Sequence, residues 1–255
     1  MAFTELRYFS QALGKHTAAN ALLPETGDAP FPVLYLLHGL SDDHTAWCRN
    51  TSIERYVSDV PLIVVMPDGG RGFYLDAKEG FAYETALFQE LPDRIERTFP
   101  AQKTRSGRAV AGLSMGGYGA IHTALAHPDR FCAAASLSGA LGWGHYPLDW
   151  NGRSNAPEWR RILGDDFAGG NADMWHLASA LAPDALPALR FDCGVDDHLV
   201  RDNREFAAFL AEKNITHEYV EYPGAHNWAY WDAHIEQAIA FLTRAMEAAP
   251  APTAV

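Results

Sequence analysis

Ala109-Val110-Ala111-Gly112-Leu113-Ser114-Met115-Gly116-Gly117-Tyr118-Gly119-Ala120-Ile121 decides how this chain folds. It joins an apolar, strand-like run to a small-residue stretch that continues helically through Thr123-Ala124-Leu125-Ala126. The joint, Gly112-Leu113-Ser114-Met115-Gly116, fits the pattern G-x-S-x-G, in which a serine sits on a sharp strand-to-helix turn. Strain at such a turn lifts the hydroxyl out of the sheet. The glycines two before and two after the serine let strand and helix approach closely. The helix N-terminus then points its amides to where negative charge would develop during attack by the hydroxyl. A bare pentad recurs by chance, but the strand before and the helix after make Ser114 a candidate nucleophile.

Outward from this joint, short apolar runs alternate with helical patterns. Val33-Leu34-Tyr35-Leu36-Leu37, Leu62-Ile63-Val64-Val65-Met66, Ala109 to Leu113, Ala133 to Leu137 and Leu189 to Cys193 read as strands. Tyr83 to Phe99, Gly116 to Ala126 and Asn203 to Lys213 carry helix-like apolar spacing. Alternation of this kind implies right-handed crossovers and a mostly parallel sheet covered by helices on both faces. The less apolar stretches around Leu6-Arg7-Tyr8-Phe9-Ser10 and Asn20-Ala21-Leu22-Leu23 suit an antiparallel pair at one edge. His217 to Tyr222 reads as the last strand and Tyr230 to Ala248 as the closing helix, so an α/β sheet of about eight strands is expected.

Residues 1–248 thus read as one α/β domain and 249–255 as a flexible C-terminal tail. The stretch 142–182 breaks the rhythm with Trp143, Trp150, Trp159 and Trp175, several glycines and prolines, and only short helical pieces. An insertion that shapes the pocket is expected there, because ligand-shaping segments lie beyond the C-terminal ends of strands in open α/β sheets.

Composition bounds the function. Of 255 residues, 48% are hydrophobic and 20% charged, the profile of a globular protein with a sizeable core. A formal net charge of −12 argues against nucleic acid and anionic lipid, both of which need a basic surface. Met1-Ala2-Phe3-Thr4-Glu5-Leu6-Arg7-Tyr8 lacks the basic start and apolar core of a signal peptide, and no apolar run approaches the roughly 20 residues of a membrane span. The three cysteines, Cys48, Cys132 and Cys193, read as reduced thiols of a cytoplasmic protein.

A serine hydroxyl needs a base. His226, in Gly224-Ala225-His226-Asn227-Trp228, follows the last strand and precedes the last helix, which suits the chain order serine, acid, histidine. The orienting acid belongs between them, just after a strand. In Cys193-Gly194-Val195-Asp196-Asp197-His198, Asp196 and Asp197 both qualify; Asp197 is favoured because the acid of such folds stands three residues after the strand-end glycine. Backbone N–H groups must hold the oxyanion. Met115, after the nucleophile, supplies one, and Leu40, in the turn His38-Gly39-Leu40, supplies the other. Phe73, Tyr74, Trp143 and Trp228 are candidate walls of the substrate pocket.

His38-Gly39-Leu40-Ser41, Trp47, Val65-Met66-Pro67, Phe81 to Pro92, the segment Gly112 to Gly119 and Gly224 to Trp228 together resemble the esterase D-like serine esterases, above all tributyrin esterases and acetylesterases. The resemblance spans roughly residues 3 to 245. It implies an α/β-hydrolase fold and hydrolysis of short-chain acyl esters, acetyl to butyryl, through an acyl-serine. It further implies catalytic roles for Ser114, Asp197 and His226, with Leu40 and Met115 as oxyanion donors and neither cofactor nor metal. The family's Cys-Gly-x-x-Asp pattern falls on Asp197. S-formylglutathione hydrolases and feruloyl or acetyl-carbohydrate esterases are similar relatives. The former carry a threonine-cysteine pair soon after His-Gly-Leu, where this chain has Ser41-Asp42-Asp43-His44, which favours small esters over the glutathione thioester.

A zinc hydrolase would need spacing such as H-E-x-x-H, which does not occur. Asp42-Asp43-His44, and Asp165-Asp166 with Asn171 and Asp173, read as solvated loop charge rather than cation sites. An acyltransferase would use the same triad but exclude water. A binding module that keeps the fold without turnover would show a lost triad member, and none is lost. The expected partner is a small-molecule ester; oligomers are common among such enzymes, but no apolar helix face is distinctive enough to argue one.

Overall fold

The computed structural model describes residues 1–146 and 156–250. Eight strands run in the order β1 (Ala2–Ser10), β2 (Lys15–Leu23), β3 (Val33–Leu37), β4 (Ile63–Pro67), β5 (Arg108–Leu113), β6 (Ala133–Leu137), β7 (Ala188–Gly194) and β8 (His217–Tyr222). Among the described residues they form one sheet, ordered β1-β2-β4-β3-β5-β6-β7-β8. The first two pair antiparallel with each other, β2 pairs antiparallel with β4, and the rest are parallel. This is the doubly covered sheet with an antiparallel edge expected from the sequence. The edge strands are longer than their apolar cores because the hairpin register carries pairing from Ala2 opposite Leu23 to Ser10 opposite Lys15.

The helices are α1 (Ala46–Asn50), α2 (Ile53–Tyr56), α3 (Tyr83–Thr85), α4 (Leu91–Thr98), α5 (Met115–Ala126), α6 (Ala156–Leu163), α7 (Met174–Ala180), α8 (Val200–Glu212) and α9 (Trp228–Ala248). The single helix expected over Tyr83 to Phe99 is interrupted by a π-helical turn at Ala86–Glu90. Pro92, in the first turn of α4, has no N–H to give and its ring crowds the carbonyl four residues back; a wider turn there relieves both.

Alternation along each strand divides the core. Val33, Tyr35 and Leu37 of β3 and Val110 of β5 face one layer, with α5, α7 and α8; Leu34, Leu36, Ala109, Ala111 and Leu113 face the other, against α1, α2 and α9. Both faces of β3 to β6 are buried, which is why these strands read as unbroken apolar runs. The stretch 142–182 contains α6 and α7, and Trp150 lies outside the described residues. No described helix is long and apolar enough to cross a membrane.

Candidate active site

The parallel strands end together on one side of the sheet, and backbone strain concentrates there. Ser41, Phe73, Tyr74, Ser114 and Ser138 all hold positive φ, as does the distant Asn214. Each such residue costs on the order of 1–3 kcal/mol and persists only where its surroundings over-determine it. Ser114 adopts φ 53° and ψ −115° between β5 and α5. Its N–H donates to the Leu137 carbonyl at 3.0 Å, and its own carbonyl accepts from Tyr118 at 3.0 Å and Ala140 at 3.1 Å. Close approach requires the flanking glycines: a Cβ on Gly116 would lie 2.6 Å from the Leu37 and His38 carbonyl oxygens, and one on Gly112 2.4 Å from the Gly116 carbonyl.

The structure brings Ser114, Asp197 and His226 together from three elements. The Oγ of Ser114 lies 3.0 Å from Nε2 of His226, and Nδ1 of His226 lies 2.8 Å from Oδ2 of Asp197. Asp197 is buried, whereas Asp196 is exposed on the other side of the same turn. The Leu199 N–H donates to Oδ1 of Asp197 at 2.8 Å and fixes the plane of the carboxylate. Burial alone would raise the Asp197 pKa; the hydrogen bonds to His226 and the Leu199 amide outweigh it and hold the carboxyl below the usual aspartate value. The ionised carboxylate selects the His226 tautomer with its proton on Nδ1, which leaves Nε2 to accept from Ser114.

The His38-Gly39-Leu40 turn lies beside the serine, since a Cβ on Gly39 would stand 3.7 Å from Cβ of Ser114. Among the described residues no acceptor pairs with the Leu40 or Met115 N–H. His38 braces this turn. Gly69 N–H donates to its Nε2 at 2.9 Å, so its Nδ1 carries the proton and donates to the Gly39 carbonyl at 2.8 Å. Burial lowers the His38 pKa and keeps the ring neutral, as those bonds require. Tyr74, expected as a pocket wall, is fully buried, and its hydroxyl donates to the His38 carbonyl at 2.8 Å. It supports the turn from behind and presents no surface to a ligand.

Phe73 stacks on Trp143 at 3.7 Å and meets Tyr118 edge-on. Trp228 is half-buried, edge-on to Trp47 and Trp231, and Trp231 meets the ring of His226 at 5.0 Å. Arg71 clamps Glu158 of α6 with two bonds of 2.8 Å and donates to Oγ of Ser41 at 3.0 Å, tying the 142–182 stretch to the Leu40 turn. The Arg71 clamp was not legible from spacing, because it joins residues distant in sequence. Of the acidic loop groups, Asp43 bonds Thr45, Asp165 pairs with Arg160, and Asp173 caps α7 and bonds His145. A serine and a histidine that remain partly exposed, backed by a buried carboxylate and set beside two amides unpaired among the described residues, are equipped for acyl transfer through a covalent serine.

A family model described as "Putative esterase" matches residues 10–242. The acetyl esterase of Caldicellulosiruptor saccharolyticus is 30% identical, over 96% of this chain and 99% of that protein. Among solved structures, the substrate-bound fluorophosphonate-binding serine hydrolase FphF of Staphylococcus aureus superposes with a TM-score of 0.84 at 34% identity, covering 94% of this chain and 98% of that one. The apoenzyme of the Staphylococcus aureus S-formylglutathione hydrolase FrmB superposes with a TM-score of 0.80 at 33% identity, over the same shares of the two chains.

Proposed function

We propose, since this chain belongs to the "Putative esterase" family and is a serine esterase of the α/β-hydrolase type, that Ser114, His226 and Asp197 hydrolyse short-chain acyl esters, acetyl to butyryl. The observation that carries the assignment is the continuous relay of 3.0 Å and 2.8 Å from Ser114 through His226 to Asp197. His226 takes the Ser114 proton on Nε2 as the serine oxygen attacks the ester carbonyl. The tetrahedral oxyanion is held by the N–H groups of Leu40 and Met115. Collapse expels the alcohol, which receives its proton from His226 and leaves an acyl-serine; water attacks that ester by the same route.

The stretch 142–182 shapes the acyl pocket in this reading, with Trp143 and Phe73 as a stacked wall and Trp228 on the histidine side. Phe73 and Trp143 are 4% and 7% exposed, so each would offer a ligand only an edge of its ring. A cytoplasmic location fits Cys48, Cys132 and Cys193, all free thiols. The FrmB likeness favours a second reading, a glutathione thioesterase, although Ser41-Asp42-Asp43-His44 stands where that group carries a threonine-cysteine pair. The test is hydrolysis of p-nitrophenyl esters from acetate to octanoate by the wild type and Ser114→Ala. Rates that peak between acetate and butyrate and vanish in the variant are expected. Activity surviving in the variant, or a preference for octanoate or S-formylglutathione, contradicts the proposal.

A further inference from the structure

His226 and His198 turn their Nδ1 atoms to the same carboxylate. Nδ1 of His226 is 2.8 Å from Oδ2 of Asp197, and Nδ1 of His198 is 3.5 Å from its Oδ1. The two rings lie 4.6 Å apart, inclined by 66°. One ligand atom from each of the three side chains lies within 4.8 Å of the other two, the sole such group among the described residues. We infer that Asp197, His198 and His226 form a divalent-cation site, suited to zinc, whose occupation switches the triad off.

Zinc commonly takes three nitrogen or oxygen ligands from protein and keeps a fourth position for water. With bonds of about 2.0–2.2 Å, tetrahedral ligand atoms stand roughly 3.3–3.5 Å apart. The His198 Nδ1–Oδ1 separation already meets that spacing, and the His226 Nδ1–Oδ2 contact must open by only about half an ångström, so each carboxylate oxygen faces one imidazole of the site. His198 is 70% exposed and free to turn toward the ion. The Leu199 amide at 2.8 Å holds the carboxylate in place as an outer partner of the site, and the exposed Asp196 beside it adds negative charge that attracts a cation. Two imidazoles and one carboxylate form a donor set that zinc accepts and calcium or magnesium does not.

The consequence rests on the triad reading above. During turnover, Nδ1 of His226 carries the proton and Nε2 holds the lone pair that accepts from Ser114. A dative bond from Nδ1 to the metal displaces the Nδ1 proton to solvent, and Nε2 takes up a proton from water. The neutral imidazole then points an N–H at Ser114 and cannot remove its proton. No electron is transferred, and removal of the metal restores the working tautomer.

The experiment titrates zinc chloride into p-nitrophenyl butyrate hydrolysis by wild type, His198→Ala and His198→Phe, with EDTA added afterwards. Reversible inhibition of the wild type is expected, together with unchanged metal-free rates in both variants and at least a tenfold rise in the zinc needed for half-inhibition. A parallel cobalt titration reads the visible absorption of a tetrahedral site, expected in the wild type and absent in both variants. Equal zinc sensitivity in all three proteins, or no cobalt spectrum, overturns the site. A metal-free wild type without hydrolysis contradicts the esterase reading instead, and the cobalt arm still decides the metal.

Discussion

Ser114 combines a strained backbone with a hydrogen-bonded hydroxyl, and the two features have separate causes. The φ of 53° is imposed by the bonds to Leu137, Tyr118 and Ala140, whereas the proposed chemistry depends on His226 and on Asp197 behind it. Asp197→Asn keeps the shape but removes the charge that selects the histidine tautomer. It is expected to lower kcat by roughly 10⁴-fold with a melting temperature close to wild type, checked by steady-state kinetics beside thermal unfolding. His38 acts at one remove. His38→Ala leaves the Gly69 N–H without its acceptor in the interior, at a cost of about 1–3 kcal/mol. Calorimetry should show a fall in Tm of roughly 2–10 °C, and kinetics a lower kcat with little change in KM. The triad members were legible in sequence because Gly-x-Ser-x-Gly, the Gly224-to-Trp228 loop and the Cys193-to-Asp197 turn each carry a local signature. His38 and Tyr74 were not, since their roles lie in bonds to Gly69 and to the His38 carbonyl that no local pattern announces.

At the scale of elements, β3 and β6 coincide with apolar runs read from sequence, because burial on both faces leaves its mark on every residue, and β8 spans the stretch His217 to Tyr222 expected as the last strand. The helix expected across Tyr83 to Phe99 was legible as helix but not as broken helix, the π turn being a local answer to Pro92. How α6 docks was illegible for another reason: its clamp to Arg71 spans 87 residues of sequence. The junction of β3, β5 and α5 makes a sharper prediction through two glycines. A Cβ on Gly39 would meet Cδ1 of Leu113 at 2.6 Å, a side chain that can shift while the turn and its Leu40 amide move off target. Gly39→Ala should therefore fold and lose about 10²- to 10³-fold in kcat, the effect of one oxyanion donor. A Cβ on Gly116 meets backbone carbonyls instead, so Gly116→Ala should lose soluble yield and thermal stability as well as activity. Circular dichroism melts of the two variants separate these outcomes.

Across the whole molecule, one contribution to acid stability comes from Glu84, a buried carboxylate that the fold keeps ionised. Burial by itself would raise the Glu84 pKa, but the bond from His127 at 2.8 Å, the nearby His122 and His127 rings and a backbone hydrogen bond from Asp76 together outweigh it, and the value falls below that of an ordinary glutamate. Between that lowered value and about 4.3, where unfolded glutamate titrates, the unfolded chain binds more protons than the folded one. Stability therefore rises with pH through this window and is lost as pH falls through the folded pKa. Denaturant midpoints measured from about pH 5 down to pH 3 should decline in the wild type and decline less steeply in Glu84→Gln; equal slopes would contradict the assignment. The proposed function requires that one serine in the entire chain become acylated, and intact-protein mass spectrometry after treatment with a fluorophosphonate reads this out. A single added label is expected, mapped to the peptide containing Ser114 and absent from Ser114→Ala. No label, or a label on another residue, would contradict it.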